Sequence, residues 1–117
     1  MKALVYHGNR DVRYQDVDDP APGDGGALIK VDYCGICATD IEEYLYGPVF
    51  ISSESPNPIT GKKMPMITGH EITGTVVGTG NPRTDWNAGD RVVVFPTFSC
   101  GECWWCRRGE GAKCPLM

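Results

Sequence analysis

Four cysteines fall within the fifteen-residue run "CGECWWCRRGEGAKC", at positions 100, 103, 106 and 114. Nothing else in the chain restricts its folding so tightly. Thiols crowded this closely can be ligands of a metal, two disulfides or four unrelated thiols, and the first two force tight turns on the backbone between them. Gly101 and Gly109 permit those turns. The start, "MKALVYHG", lacks the long apolar segment and small-residue cleavage site of a secretory signal, since His7, Asn9 and Arg10 soon interrupt it. A cytoplasmic, reducing setting is expected, and it favours metal over disulfide. Zn²⁺ takes four thiolates tetrahedrally, so Cys100, Cys103, Cys106 and Cys114 are expected to hold a structural zinc in a lobe spanning 99–115. Such a site has no open position and does no chemistry. Trp104 and Trp105, between ligands, are expected to pack the lobe against its surroundings.

The other two cysteines, Cys34 and Cys37, form "CGIC". A C-x-x-C pair can be a redox couple, but no β-α-β pattern surrounds this one, so Cys34 is expected to be a buried, inert thiol. Cys37 stands just before the helix candidate "TDIEEYLYG", where free amides and the helix dipole favour a thiolate. That candidate opens at Thr39 or Asp40, places Ile41, Tyr44 and Leu45 on one face, and stops at Gly47. Thirty-odd residues on, "GHEITGTVV" offers His70 and Glu71 at the start of a strand. A thiolate, an imidazole and a carboxylate are the ligand types of a catalytic zinc site. Spacing alone leaves open whether they meet, for a His beside a Glu is commonly just a hydrogen-bonded pair.

Around these motifs the chain is β-rich. "KALVYH" and "DVRYQDV" flank a "GNR" hairpin turn. "ALIKVDY" alternates, with Ala27, Ile29, Val31 and Tyr33 on one face. "RVVVFP" is apolar enough to predict a fully buried strand. Fifteen glycines and nine prolines punctuate these runs, as in barrels and sandwiches of short strands. Residues 48–66 form a long Pro/Ser-containing loop, of the sort that carries function or stays disordered. A length of 117 residues suits one small domain or a piece of a larger one. The net charge of −4 argues against a nucleic-acid surface, and no stretch is long and apolar enough to span a membrane.

"GICATD", "GHEITGTVVGTG", "AGDRVVV" and the four-cysteine run occur in the order and kind seen in zinc-containing medium-chain alcohol dehydrogenases. The stretch from "EEYLYGPVFI" to "PITGKKMPMITGHE" resembles the butanediol and polyol (sorbitol, threonine) branch. The resemblance covers nearly the whole chain. It implies a mainly β fold, a GroES-like, partly open β-barrel with one or two short helices and the four-cysteine zinc lobe. It also implies that Cys37 and His70 ligate a catalytic zinc, that Glu71 is an alternate or adjacent ligand, and that Asp40 orients His70.

By the same resemblance zinc acts as a Lewis acid on an alcohol, Thr39 takes the alcohol's proton, and the carbinol hydride passes to NAD or NADP. Glu42 stands where many relatives carry a His that relays the proton onward, and a carboxylate is the weaker base at neutral pH. The substrate is expected to be a small alcohol or polyol, and the full-length enzyme a homo-oligomer.

A place for the nicotinamide cofactor is missing. "GTGNPR" at 78–83 has Arg83 where a phosphate-binding turn needs its last Gly, "GEGAKC" at 109–114 fails likewise, and no β-α alternation surrounds either. Residues 1–117 are therefore expected to be the N-terminal part of a catalytic domain, inactive alone, whose Rossmann domain and last zinc ligand lie beyond it. The alternative is a non-catalytic, zinc-stabilised binding module of the same fold.

Overall fold

The computed structural model describes residues 1–80 and 85–117. The chain folds into two three-stranded antiparallel sheets joined by one helix. In the first, β1 (Lys2–Gly8) and β2 (Asp11–Asp16) form the expected hairpin, with Lys2 opposite Asp16 and Tyr6 opposite Val12. Its turn uses Arg10 at φ 57°, a left-handed conformation that costs a non-glycine residue some energy. The carbonyl of Tyr44 takes both the Arg10 N–H (2.8 Å) and the Asn9 side-chain amide (3.3 Å), and so holds the turn in place. The two-residue β4 (Met66–Ile67) pairs with the other edge of β1, giving the order β2-β1-β4.

The second sheet, ordered β3-β5-β6, contains β3 (Ala27–Gly35), β5 (Glu71–Thr79) and β6 (Arg91–Val93). Along β3 and β5 the register runs from Ala27 opposite Thr79 to Gly35 opposite Glu71. Irregularities between Leu28 and Ile29 and between Val31 and Tyr33 break the strict alternation read from "ALIKVDY". Val31 and Tyr33 are exposed, at 52% and 79%, as are Lys30, Asp32 and Cys34 of the same stretch.

Strand β6 also departs from expectation. The uniformly apolar "RVVVFP" is not a buried strand: only three of its residues are laddered, and Val93 and Phe95 are 79% and 78% exposed. The physical reason is its place at the sheet edge, where β5 covers one side and no strand among the described residues covers the other. The buried apolar set is correspondingly small, with Ala3, Val5 and Tyr6 on β1, Val76 on β5 and Cys114 in the cysteine lobe.

The helix α1 (Ala38–Tyr46) ends at Gly47 as expected, but it starts earlier than Thr39 or Asp40 would set it. Cys37 is the cap residue. Asp40, three positions on, returns its carboxylate to the Cys37 N–H at 2.8 Å, the acidic half of a capping box. Ile41 and Tyr44 share a face, yet both are exposed, and the buried residue of the helix is Glu43 at 4%. A carboxylate can be buried there because backbone N–H groups of the following loop surround it.

That loop is ordered rather than loose. Met64 N–H bonds to Ser52 O at 2.8 Å, and Asn57 Oδ1 takes the N–H groups of Ile59 and Thr60 in a compact turn. The "GTGNPR" run at 78–83 extends into residues outside those described. "GEGAKC" forms a short 3₁₀ turn, Gly111–Lys113, rather than the start of a phosphate-binding helix.

Candidate metal centres

In the lobe, two 3₁₀ turns (Cys106–Arg108 and Gly111–Lys113) fold the chain back on itself, and Gly101 and Gly109 both take φ 75°. That left-handed conformation is open to glycine at little cost. The four sulfurs all lie within 4.8 Å of one another. Cys100 Sγ and Cys106 Sγ are 3.8 Å apart, and Cys103 Sγ and Cys106 Sγ 3.4 Å. At a Zn–S bond of about 2.3 Å, tetrahedral thiolates stand about 3.8 Å apart, so the sulfurs fit a zinc ion. Backbone amides already point at them: Cys103 N–H to Cys100 Sγ at 3.4 Å, Cys106 N–H to Cys103 Sγ and Cys100 N–H to Cys114 Sγ at 3.5 Å.

Those amides set the proton affinities. N–H groups of Glu102 and Cys103 lower Cys100 to about 6. Cys106 is lowered as well: burial resists its ionisation, but hydrogen bonds from Cys103, Ser99 and the Gly101 backbone outweigh it. For Cys103 the Cys106 N–H favours the thiolate, yet desolvation and the neighbouring sulfurs prevail and push the thiol up to about 11. Adjacent sulfurs thus share protons where a divalent cation would let all four ionise.

Trp104 and Trp105 make ring contacts inside the lobe. They meet edge to face at 4.6 Å, with Arg108 over Trp104 at 4.5 Å and Lys113 over Trp105 at 4.9 Å. Trp104 remains exposed, whereas Trp105 is half-buried.

The second group joins two distant parts of the chain. The β3–β5 register sets Gly35 opposite Glu71, which carries Cys37, two residues past β3, alongside His70, one residue before β5. One ligand atom each from Cys37, His70 and Glu71 lies within 4.8 Å of the others. Glu71 can lie flat here only because Gly35 has no side chain, since a Cβ on residue 35 would run into the Glu71 carboxylate. Asp40 Oδ1 stands 3.8 Å from His70 Nδ1, and Thr39 Oγ1 3.4 Å from Nε2 of the same ring. A thiolate, an imidazole and a carboxylate converging with one side open is a donor set that suits zinc with a free coordination position. His70 and Glu71 of this group also line a cavity of about 510 Å³, together with Ile72, Val93, Val94 and Phe95.

Glu42 is exposed one helical turn beyond Thr39, and among the described residues no hydrogen bond ties it to this group. Cys34 is not buried as expected but exposed, with its thiol against its neighbour's carbonyl (Cys34 Sγ to Gly35 O, 3.7 Å). It sits within β3, not at the helix-opening turn of a redox C-x-x-C, and all six cysteines are free. Two contributors escaped sequence reading, Gly35 and Glu43. Neither carries a local signal, because their roles depend on partners thirty-six and six to eight residues away.

Comparison with known proteins agrees with this geometry. The alcohol dehydrogenase GroES-like domain matches residues 23–117. The chain belongs to that family. It is 42% identical over 99 residues to the (R,R)-butanediol dehydrogenase of Bacillus subtilis, covering 85% of this chain and 29% of the relative. The crystal structure of the 2R,3R-butanediol dehydrogenase from Bacillus subtilis superposes with a TM-score of 0.82 at 41% identity, over 85% of this chain and 28% of that one. Sorbitol dehydrogenase of Halalkalibacterium halodurans is 37% identical over 117 residues, 97% of this chain and 31% of its own length. A cobalt- and zinc-bound thermostable alcohol dehydrogenase from Pyrobaculum aerophilum matches with a TM-score of 0.77 at 27% identity, over 98% of this chain and 32% of that one. This GroES-like chain therefore spans less than a third of the length of these relatives. Its fold is that of the family, mainly β with open sheets, one α-helix and the clustered cysteines. Among the described residues no helix is long and apolar enough to cross a membrane.

Proposed function

We propose that residues 1–117 are the N-terminal part of the catalytic domain of a zinc-dependent, NAD(P)-linked dehydrogenase that oxidises a secondary alcohol or polyol to a ketone. The observation that carries this is the meeting of Cys37, His70 and Glu71, two of which line a largely apolar cavity, in a chain whose relatives are named butanediol and sorbitol dehydrogenases. Cys37, His70 and Glu71 would hold the catalytic zinc, and Cys100, Cys103, Cys106 and Cys114 the structural one. A zinc ion in the first site supplies Lewis acidity, the property that brings the pKa of water down to about 7 in zinc enzymes.

The chain's own groups do the rest. Asp40 Oδ1, 3.8 Å from His70 Nδ1, stands where it would steady the ring of a metal-bound His70. Thr39 Oγ1, beside Nε2, receives the proton of an alcohol and passes it outward, where Glu42 on the next turn can accept it. Ile72, Val93 and Phe95 beside His70 and Glu71 offer an apolar surface for the carbon skeleton of a substrate. A nicotinamide cofactor, which a Rossmann domain outside residues 1–117 would hold, would supply the hydride acceptor, in an enzyme that works as a homo-oligomer. Six free cysteines suit the reducing cytoplasm.

Reading the coding sequence past residue 117 and assaying the encoded protein tests this. A strand, a glycine-rich turn and a helix, together with NAD(P)-dependent oxidation of 2,3-butanediol or sorbitol that Thr39→Ala depresses at least 100-fold, is the expected result. An encoded protein without a dinucleotide-binding unit, or turnover by the 117-residue chain alone, would instead favour a non-catalytic binding module or a different reaction.

A further inference from the structure

The helix that carries Cys37 is held to the rest of the chain almost wholly by hydrogen bonds at its far end. Of its large apolar residues Ile41, Tyr44 and Tyr46 are exposed and Leu45 is half-buried, so little packing fixes its direction. The Tyr6 hydroxyl on β1 donates to the Glu43 carbonyl at 3.1 Å, Gly47 N–H donates to the same oxygen at 2.9 Å, and the β1–β2 turn grips Tyr44 O. Glu43 adds its buried side chain. Its Oε2 takes the Val49 N–H at 2.7 Å and the Phe50 N–H at 3.1 Å, and its Oε1 takes the Ile51 N–H at 2.8 Å.

Three successive amides closing on one carboxylate form an anion-binding nest. Because the carboxylate is only 4% exposed, these bonds are shielded from water and are stronger than their surface counterparts. They lock the C-terminal end of α1 to the loop that begins at Pro48, while β1 holds the same turn from the other side. The other end of the helix meets the second sheet through Asp40 and His70. Thus α1 bridges the two sheets, pinned to the first at Glu43 and presenting Cys37 to the second. Six residues of helix separate the two positions, about 9 Å at 1.5 Å per residue.

We infer that Glu43 is a positioning residue for the Cys37–His70–Glu71 metal centre, acting by fixing the axis of α1 from its distal end. The inference rests on the reading of those three residues as a metal site. With the nest emptied, the helix end is released from its loop, and a pivot there displaces Cys37 Sγ relative to His70, whose place is set independently by β5. The four-cysteine lobe shares no element with α1, so it should not feel the change.

That difference supplies an internal control. The 117-residue chain, stripped of metal under reducing conditions, is titrated with Co²⁺. A four-thiolate site and a one-thiolate site give separable thiolate-to-cobalt charge-transfer bands, and Cys37→Ser assigns the second. Glu43→Gln keeps the shape but loses the charge, Glu43→Ala empties the nest, and far-UV circular dichroism establishes that each remains folded at the titration temperature. The expected result is Co²⁺ affinity at the Cys37 site about 10-fold weaker in Glu43→Gln and weaker still in Glu43→Ala, with lobe affinity unchanged in both. Two ions bound with wild-type affinity at both sites in folded Glu43→Ala would overturn the positioning role alone. Equal weakening at both sites would overturn it too, by showing a general loss of stability. A wild-type chain that binds only the lobe ion would overturn the metal-centre reading, and this inference with it.

Discussion

One carboxylate serves two elements: Asp40 Oδ2 takes the Cys37 N–H at 2.8 Å while its Oδ1 faces His70 Nδ1 at 3.8 Å. The group that starts α1 therefore also sets the distance between the helix and the strand that brings His70. Asp40→Ala should remove both functions. Loss of the cap costs about 1 kcal/mol of stability, and loss of the ring's partner weakens metal binding 10- to 100-fold. Thermal denaturation and Co²⁺ titration read the two effects separately, and Asp40→Asn, which retains a cap oxygen, should recover most of the first and little of the second.

Gly35 makes room for the Glu71 carboxylate across the β3–β5 ladder. Gly35→Ala should displace that side chain at a cost of at most about 1 kcal/mol, because the nearest atom is the movable end of an exposed carboxylate. In a Glu71→Ala background the same substitution should cost markedly less. Denaturant unfolding of the four chains closes the cycle, and additive effects would refute the steric account.

The metal-free lobe should titrate in steps. Cys100 ionises near 6, whereas Cys103 keeps its proton to about 11. A thiol whose folded pKa lies below its unfolded value adds stability above the unfolded value and loses it as pH falls toward the folded one. Cys100 thus stabilises the apo lobe above about pH 9, with the contribution fading down to about 6. Cys103, shifted the other way, contributes below about pH 9 and loses that contribution as pH rises toward about 11. Thiolate absorbance at neutral pH should fall in Cys100→Ser and hardly change in Cys103→Ser. Zinc should erase the steps by ionising all four thiols, and a strong chelator should restore them.

The edge strand β6 offers unpaired backbone beside Val93 and Phe95, both nearly four-fifths exposed. Such an edge recruits other strands. The isolated chain should show a mass that grows with concentration in light scattering, and Val93→Lys with Phe95→Lys should bring it back toward a monomer. A wild-type mass constant over a hundredfold dilution would show that the edge is closed in some other way.

The contrast between the two metal groups shows what was legible without coordinates. The lobe could be read directly, since four ligands inside fifteen residues can only be gathered locally and glycines mark where the chain must turn. The hairpin of β1 and β2 and the end of α1 at Gly47 were readable for the same reason, each being decided by neighbours in sequence. Cys37 and His70 were recognisable as ligand types, but residue spacing could not make them meet. Their meeting follows from the β3–β5 register, a long-range pairing in which a one-residue slip would turn every side chain to the other face. Burial of Glu43 and exposure of Val93 belong to that second kind. Sequence hydrophobicity predicts the reverse of each, because burial depends on what lies opposite: three loop amides in one case, an open sheet edge in the other.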